Sequence, residues 1–307
     1  MKNKKIIIGS RSSKLALIYA ERCKILLKQF SHSFEIDEII IKKITTDGDK
    51  LQNIRLSEVG GKGLFSKTIE EELLNNKIDI AVHALKDMPS IETEGLTANF
   101  FLKRNSPSEI LISKADIKFE DLKPNSIIGT SSYRREFQLK QKRKDLNYKL
   151  IRGNVDTRIK KLESGDYDAI LLSKAGIDAL GLNEKISQEF DVDDLIPCAG
   201  QGIIAAQCRI NDNEVKDILE KINNEETRIL ANAEREVLKI LEGDCDTAVG
   251  VYAKIEKQII HLKTELFSVD GNERYFMNES DEKKSFLRLS KNIGEQLKIK
   301  SKGSYKR

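Results

Sequence analysis

Short apolar runs alternate with stretches of helical periodicity over the first two thirds of the chain. Residues 6–8 and 78–82 form almost wholly apolar runs, which predict buried strands. The spacing of apolar residues over 15–30 and 68–76 predicts helices, and alternation over 34–40 predicts another extended run. Strands that are apolar on both faces and alternate with helices are typical of layered α/β folds.

A second block of the sequence repeats this arrangement. Residues 127–132 echo 7–12, each with a strand, a glycine turn and hydroxyl residues that can cap a helix. Residues 168–172 similarly echo 79–83. The simplest interpretation is two similar α/β lobes.

Two polar segments divide the predicted lobes. Residues 103–108 contain a helix-breaking proline, as a hinge would, and 197–202 form a second crossover. The apolar residues 203–206 after that crossover could return a strand to the first lobe. We therefore expect a first α/β lobe from 1–102 plus 200–221, and a second from 103–199.

The last third of the chain has a different character. It predicts a long helix over 225–241, extended runs over 249–255 and 259–267, a lysine-rich terminal helix and a frayed tail at 302–307. The expected third domain, 222–307, is a small α+β domain. The predicted fold class is therefore α/β, with two doubly wound lobes and a small α+β domain at the C-terminal end.

Composition and charge narrow the class of protein. The chain has 307 residues, 39% of them hydrophobic, which predicts a soluble globular protein. No apolar run approaches the ~18 residues of a membrane span, and the first apolar run is too short for a secretory signal, so we expect a cytoplasmic protein. A net charge of +4, from 53 basic and 49 acidic residues, argues against a general nucleic-acid binder.

Cysteines and histidines do not predict a metal site. The four cysteines form no CxxC pair, and the three histidines lie far apart in sequence, so neither a zinc site nor a disulfide framework is expected. The usual interpretation, a buried and inert thiol, suits Cys23, Cys198 and Cys208. Cys245 lies in a predicted loop near glycines and is better placed for covalent attachment, although Asp244 and Asp246 disfavour a freely reactive thiolate.

Arginines accompany the predicted strand-to-helix turns. Free N–H groups at a helix start attract anions, but Ser and Thr also cap ordinary helices, so the caps alone leave both interpretations open. The arginines favour a site, because a guanidinium can clasp a carboxylate through two hydrogen bonds. Five of them at such junctions predict a cleft for a polyanion: Arg11, Arg134, Arg135, Arg152 and Arg158.

Two further segments carry candidate chemistry. Residues 60–65 lack the spacing of a P-loop, so the glycines predict either a mobile loop that brings Lys62 to a site or a plain flexible loop. Residues 83–89 close an apolar strand, where polar side chains often face a ligand. Near Lys86 and the arginines, Asp87 is expected to stay ionised and to stabilise a cation or exchange a proton, unless it merely caps the turn.

Taken together, these motifs resemble the porphobilinogen deaminase (hydroxymethylbilane synthase) family. The match runs in order from about residue 6 to 252 through five motifs: 59–65, 79–89, 129–135, 152–158 and the Cys245 loop. The resemblance implies two lobes like those of periplasmic binding proteins and a third domain that carries the cofactor cysteine. It also implies a dipyrromethane cofactor held by a thioether to Cys245. Four porphobilinogen molecules would add head to tail, each losing ammonia, and hydrolysis would release hydroxymethylbilane.

The resemblance also assigns roles to residues. Asp87 would stabilise the azafulvenium cation left by ammonia loss and transfer protons, and Lys62 would close over the site. The groups expected to bind cofactor and substrate are Arg11, Ser13, Lys62, His83, Lys86, Thr130, Ser132, Arg134, Arg135, Arg152 and Arg158. The implied partner is porphobilinogen alone, without nucleic acid or membrane, and the expected state is a monomer.

Two single positions and one loop depart from the family pattern. The family usually has Ser at the position of Ala84 and Arg at that of Ala179, so one polar contact and one carboxylate clamp are missing. The residues around Cys245 read Gly-Asp-Cys-Asp-Thr-Ala, where Gly-Gly-Cys-Gln-Val-Pro is commoner. We interpret this as a subfamily variant because Cys245 keeps its place.

Two other classes remain as alternatives. An anion-binding module would use the same arginines and helix starts without chemistry, although the Cys245 domain would then have no purpose. A nucleic-acid role has no recognisable motif to support it.

Overall fold

The computed structural model describes residues 4–46, 48, 63–243 and 247–306. The described chain forms two compact units. The first contains residues 4–46, 48, 63–105 and 203–229, and the second contains 106–202, 230–243 and 247–306. The predicted three-domain division stays a prediction.

The elements follow one another along the chain in the order that the patterns indicate. The strands are β1 (Lys5–Arg11), β2 (Glu38–Ile44), β3 (Ile80–Ala84), β4 (Leu96–Phe101), β5 (Glu109–Ser113), β6 (Ile127–Gly129), β7 (Asn147–Lys149), β8 (Ala169–Ser173), β9 (Gln188–Glu189), β10 (Ile204–Arg209), β11 (Val249–Glu256), β12 (Ile259–Phe267) and β13 (Arg274–Glu282). The helices are α1 (Lys14–Lys28), α2 (Lys67–Leu74), α3 (Tyr133–Lys142), α4 (Val155–Glu163), α5 (Lys174–Leu180), α6 (Asn213–Ile222), α7 (Glu225–Leu241) and α8 (Phe286–Ser301).

Two five-stranded sheets share one topology. The first has the order β2-β1-β3-β10-β4 and the second β7-β6-β8-β5-β9. In each, four strands run in one direction, and one strand, β10 in the first sheet and β5 in the second, runs antiparallel to them. Strand β10 lies between β3 and β4, which confirms the predicted return of 203–206 to the first sheet.

Matching aspartates hold the central strands of both sheets. Asp79 accepts the Ile7 N–H at 2.8 Å, and Asp168 accepts the Ile127 N–H at 2.7 Å. In return, Ile7 and Ile127 accept the backbone N–H groups of these same aspartates. The echo between 7–12 and 127–132 in the sequence therefore corresponds to equivalent positions in two sheets.

Apolar residues cover both faces of the second sheet. Along β8, Ala169 and Leu171 pack into one buried cluster, while Ile170 and Leu172 pack into another. A strand buried on both faces must read as a continuous apolar run, which is why the sequence predicts this strand correctly.

The C-terminal region has an antiparallel sheet, β11-β12-β13, packed against α8. Strands β11 and β12 confirm the two predicted extended runs, and α7 confirms the predicted helix over 225–241. The sequence does not predict β13, because it is an edge strand with mostly polar, exposed residues.

Two local predictions are wrong. Phe34 lies in a short 3₁₀ turn, and Glu35 has a φ of 52°, so the extended run begins only at Glu38. The tail is not frayed, because Tyr305 is 3% exposed and its hydroxyl donates to the Leu241 carbonyl at 3.0 Å.

The docked tail makes a testable contribution to stability. We expect Tyr305→Ala to lower the free energy of unfolding by about 3 kcal/mol, because it leaves a cavity where a buried ring packed. Tyr305→Phe should cost only about 1 kcal/mol, since it removes one hydrogen bond. Urea denaturation measures both, with Ile299→Ala as a control because Ile299 is 73% exposed. A wild-type midpoint for Tyr305→Ala would show that the tail is not docked.

Candidate active site

An arginine and an aspartate meet at the edge of the first sheet. Strands β1 and β3 are parallel neighbours, so their carboxyl ends lie at the same edge. Arg11 ends β1, and Asp87 lies in the 3₁₀ turn that directly follows β3. Their side chains approach to 3.6 Å between Nη1 and Oδ2, with 18% and 35% of their surfaces exposed. This separation is an ion pair without a short hydrogen bond, so the carboxylate keeps accessible oxygen surface.

The Arg11 guanidinium also stacks on an aromatic ring. Its central carbon lies 4.0 Å from the centroid of the Phe65 ring. Stacking of a guanidinium on an aromatic face is favourable and restricts the orientation of the arginine. Arg11 therefore has a defined position beside Asp87.

Ser13 and Lys86 flank this pair in sequence. Ser13 caps α1, and its hydroxyl accepts the Ala16 N–H at 3.4 Å. Lys86 is half-buried and has no ion-pair partner within the described residues. Ser13 thus has an established structural role, while the ammonium of Lys86 is available to an anion.

His83 is buried on β3, the strand that leads into the turn with Asp87. Its Nε2 lies 3.2 Å from the Oε1 of Gln207 on β10. Burial lowers the pKa of His83, and the positive charge of Arg11 lowers it further, although Glu70, Gln207 and Asp87 act in the opposite direction. His83 is therefore a neutral imidazole at neutral pH.

The second unit places two of the predicted arginines on one buried carboxylate. Arg134 donates to Glu109 Oε1 at 2.5 Å, and Arg135 donates to Oε2 at 2.6 Å. Glu109 is fully buried in β5, and both arginines are more than nine-tenths buried. Burial opposes the charge of Arg134, but Glu109 and Cys198 together outweigh it, so the pKa of Arg134 is raised. One carboxylate thus faces two cations, which leaves a local charge of +1.

The remaining predicted groups of this unit lie at its strand-to-helix junctions. Thr130 is buried and accepts the Ser132 N–H at 3.2 Å, and Ser132 caps α3 by accepting the Arg135 N–H at 3.4 Å. Arg158 donates through Nε to the Gly153 carbonyl at 2.8 Å. Arg152 is buried at the same junction, where Gly153 has a φ of 113° that favours glycine.

The thiols differ in their surroundings. Burial raises the pKa of Cys23 and of Cys208 to about 12, so neither ionises near neutral pH. Cys198 is only half-buried, so the prediction of a buried thiol is wrong for it, and it donates a weak hydrogen bond to Gln201 at 3.5 Å. Lys62 and Cys245 lie outside the described residues. Among the residues that the structure describes, no group of His, Cys, Asp or Glu is arranged to hold a metal ion, and no helix is long and apolar enough to span a membrane.

The sequence did not reveal three buried residues around the predicted groups. Glu109 pairs with two predicted arginines, Gln207 contacts His83, and Glu70 contacts Gln207. Glu109 begins a largely apolar strand and Gln207 interrupts another, which is the one signal that could have marked them. Their partners come from distant parts of the chain, so the contacts themselves cannot be inferred from local patterns.

The fold and these donor groups define a class of protein. It is an α/β protein with doubly wound sheets, whose strand ends carry guanidinium, hydroxyl and carboxylate groups suited to a ligand with several carboxylates.

Two family models then assign the chain. "Porphobilinogen deaminase, dipyromethane cofactor binding domain" matches residues 6–217, and "Porphobilinogen deaminase, C-terminal domain" matches 229–299. The chain belongs to the porphobilinogen deaminase family, a family of transferases of tetrapyrrole synthesis that carry a dipyrromethane cofactor. This confirms the family, enzyme class and cofactor that the five motifs implied.

Individual relatives agree with this assignment. A porphobilinogen deaminase from Geobacillus kaustophilus is 42% identical over 88% of this chain and 87% of the relative. Another from Staphylococcus aureus is 40% identical over 98% of this chain and 96% of the relative. Among solved structures, a YaeC-family lipoprotein from Enterococcus faecalis has a TM-score of 0.44 and 12% identity, covering 73% of this chain and 93% of the lipoprotein.

Proposed function

We propose that this chain condenses four porphobilinogen molecules head to tail and releases hydroxymethylbilane, with Asp87 as its catalytic carboxylate. The observation that carries the proposal is the Arg11–Asp87 pair at the edge of the first sheet. Family membership supplies the reaction, and this pair supplies an anion that is oriented but still accessible.

The donor groups fit a dipyrromethane cofactor. Its pyrrole rings carry carboxylate side chains, and the chain offers guanidinium and hydroxyl donors at both sets of strand ends. When bound, the cofactor supplies the ring carbon to which the first substrate is joined. We propose that Cys245 holds it through a thioether and that Lys62 contributes a cation.

In the first unit, the proposed chemistry centres on charge. The aminomethyl group of the substrate is protonated, so ammonia leaves with the electron pair of the C–N bond and the substrate ring becomes cationic. Asp87 stabilises that cation at short range and accepts the proton that leaves when the new C–C bond has formed. Arg11 and Lys86 bind substrate carboxylates, His83 lines the site, and Ser13 donates a further hydrogen bond.

In the second unit, we propose that the buried charge of +1 attracts ligand carboxylates. A buried excess charge is unfavourable until an anion compensates it. Arg134 and Arg135 each donate a hydrogen bond to Glu109. A contact with a ligand therefore requires a further N–H group that the pairing with Glu109 does not use. The Nε of Arg135 has no hydrogen-bond partner among the described residues and is such a donor. Thr130, Ser132, Arg152 and Arg158 complete the proposed set.

We further propose that the enzyme acts as a monomer in the cytoplasm, without nucleic acid or membrane. The groups assigned to the reaction all come from one chain, which favours an active monomer. The nearly balanced charge of +4 argues against a nucleic-acid partner.

A direct assay distinguishes the proposed enzyme from a carboxylate-binding module. With porphobilinogen as the only substrate, we expect one ammonia released for each molecule consumed, and a bilane as product. Calorimetry on the same preparation reports binding. Heat of binding without ammonia release would contradict the enzymatic function and favour the module.

A further inference from the structure

A chain of hydrogen bonds runs through the interior of the first unit and ends at His83. Thr93 donates to Glu70 Oε2 at 2.9 Å, and Gln207 Nε2 donates to Glu70 Oε1 at 2.9 Å. Gln207 Oε1 then lies 3.2 Å from His83 Nε2. Glu70, Gln207 and His83 are 5%, 0% and 6% exposed, so water does not compete for these contacts.

The direction of each hydrogen bond in this chain is fixed by chemistry. An ionised carboxylate only accepts, so Gln207 must turn its NH₂ group toward Glu70. Its carbonyl oxygen therefore faces His83 and can only accept. The Nε2 of His83 must carry the hydrogen, which selects the Nε2–H tautomer of the neutral ring and leaves Nδ1 as an acceptor.

The strand register explains why Gln207 can bridge the two groups. Strand β10 runs antiparallel to β3, with Gln207 opposite Ala81 and Ala205 opposite His83. Alternate residues share a face of a sheet, so Gln207 and His83 lie on the same face, diagonal to one another. Diagonal neighbours at this distance are within reach of long side chains.

Burial keeps His83 neutral, and Gln207 prevents a carboxylate from contacting its ring. The charged groups that act on this imidazole are Glu70 and Asp87, which favour its protonation, and Arg11, which opposes it. The Glu70 carboxylate determines which way the Gln207 amide turns. The neutral amide also lies between the Glu70 carboxylate and the His83 ring. A carboxylate in direct contact would favour an imidazolium ion instead.

We propose that Gln207 is a positioning residue that holds the buried, neutral imidazole of His83 in its Nε2–H tautomer. This inference rests on the proposed function, because its consequence concerns the charge that Asp87 experiences during the reaction. An imidazolium at position 83 would be a permanent cation near Asp87 and would repel the cationic substrate ring. A neutral imidazole adds no cation near Asp87 and does not repel the cationic substrate ring.

The tautomer is measured in the free enzyme by ¹⁵N NMR of histidine rings. The chain has only three histidines, so replacing His32 and His261 by Gln leaves one ring, and its two nitrogen shifts identify tautomer and charge. We expect the Nε2–H form at neutral pH. An Nδ1–H ring, or a charged ring, would overturn the proposal.

Three variants separate orientation from charge. Glu70→Gln replaces a carboxylate that only accepts by an amide that can also donate, so the Gln207 amide is no longer held in one orientation and the Nε2–H preference of His83 should weaken. Gln207→Leu removes the acceptor, so the Nε2–H preference should be lost. Gln207→Glu places a carboxylate against the ring, so His83 should be charged at neutral pH, and kcat should fall about tenfold or more. That kcat should recover as the pH rises and His83 loses its proton.

Controls distinguish positioning from general damage to the fold. Gln138→Leu removes another buried glutamine, 3% exposed and in the second unit, and should leave the His83 shifts unchanged. Unchanged His83 shifts and kcat in both Gln207 variants would refute the positioning role. Absence of ammonia release by the wild type would refute the proposed function, whereas the NMR result of the substrate-free protein would still decide the tautomer.

Discussion

Asp87→Ala should lower the rate of ammonia release by about a thousandfold or more while the protein remains folded. The loss follows from removing the one carboxylate proposed to face the substrate cation, since electrostatic and proton-transfer groups each contribute about 10²–10⁴-fold. Folding should be retained because Asp87 is 35% exposed and its charged partner lies 3.6 Å away. Single-turnover measurement of ammonia separates the chemical step from product release.

Two further variants make the Asp87 experiment specific. Asp87→Asn keeps the shape but removes the negative charge, so it should lose nearly as much activity as Asp87→Ala. Asp217→Asn serves as the matched control, because Asp217 is exposed on α6, and its activity should equal that of the wild type. Near-normal ammonia release by Asp87→Ala would contradict the catalytic role of Asp87.

Glu109→Leu should be the most destabilising of the substitutions considered in the second unit. It leaves Arg134 and Arg135 buried without their carboxylate, and breaking a buried ion pair from one side costs about 3–5 kcal/mol. Glu109→Gln should cost less, because the amide oxygen still accepts one hydrogen bond. Urea denaturation followed by circular dichroism measures the loss of stability.

The control for Glu109 is a charge pair on the surface. Glu282 pairs with Lys284, and both side chains are more than half exposed, so Glu282→Gln should leave the urea midpoint unchanged. If Glu109→Leu were as stable as the wild type, Arg134 and Arg135 could not depend on Glu109 as described. The proposed binding of ligand carboxylates by these two arginines would then have to depend on other contacts.

Much of the fold follows from local patterns in the sequence. The strand over 169–173 is predictable because both of its faces are buried, which requires a continuous apolar run. Strand β13 is not predictable in this way, because an edge strand that is paired on one side can remain polar. The Tyr305 contact was missed because a short polar tail carries no periodic signal. The hydroxyl of Tyr305 bonds to the Leu241 carbonyl, which is distant in the sequence, so the contact appears only in the folded chain.

Some contacts of the candidate site could be predicted from the sequence, and others could not. Arg11 and Asp87 could be placed near one another, because each follows a predicted parallel strand and such strand ends meet at one edge. The contact of Arg134 and Arg135 with Glu109 could not be predicted. Glu109 belongs to another strand and lies 25 and 26 residues before the two arginines in the sequence. Gln207 lies 124 residues from His83, so only the pairing of β10 with β3 reveals their contact.

The intact mass of the protein purified from cells that supply porphobilinogen tests the proposed function and its cofactor. We predict the mass of the chain plus a covalent adduct of two pyrrole units, and the mass of the bare chain for Cys245→Ser. Cys198→Ser, which changes a cysteine proposed to be structural, should keep the adduct. A wild-type protein with the mass of the bare chain would contradict the account, and an adduct retained on Cys245→Ser would contradict the attachment site.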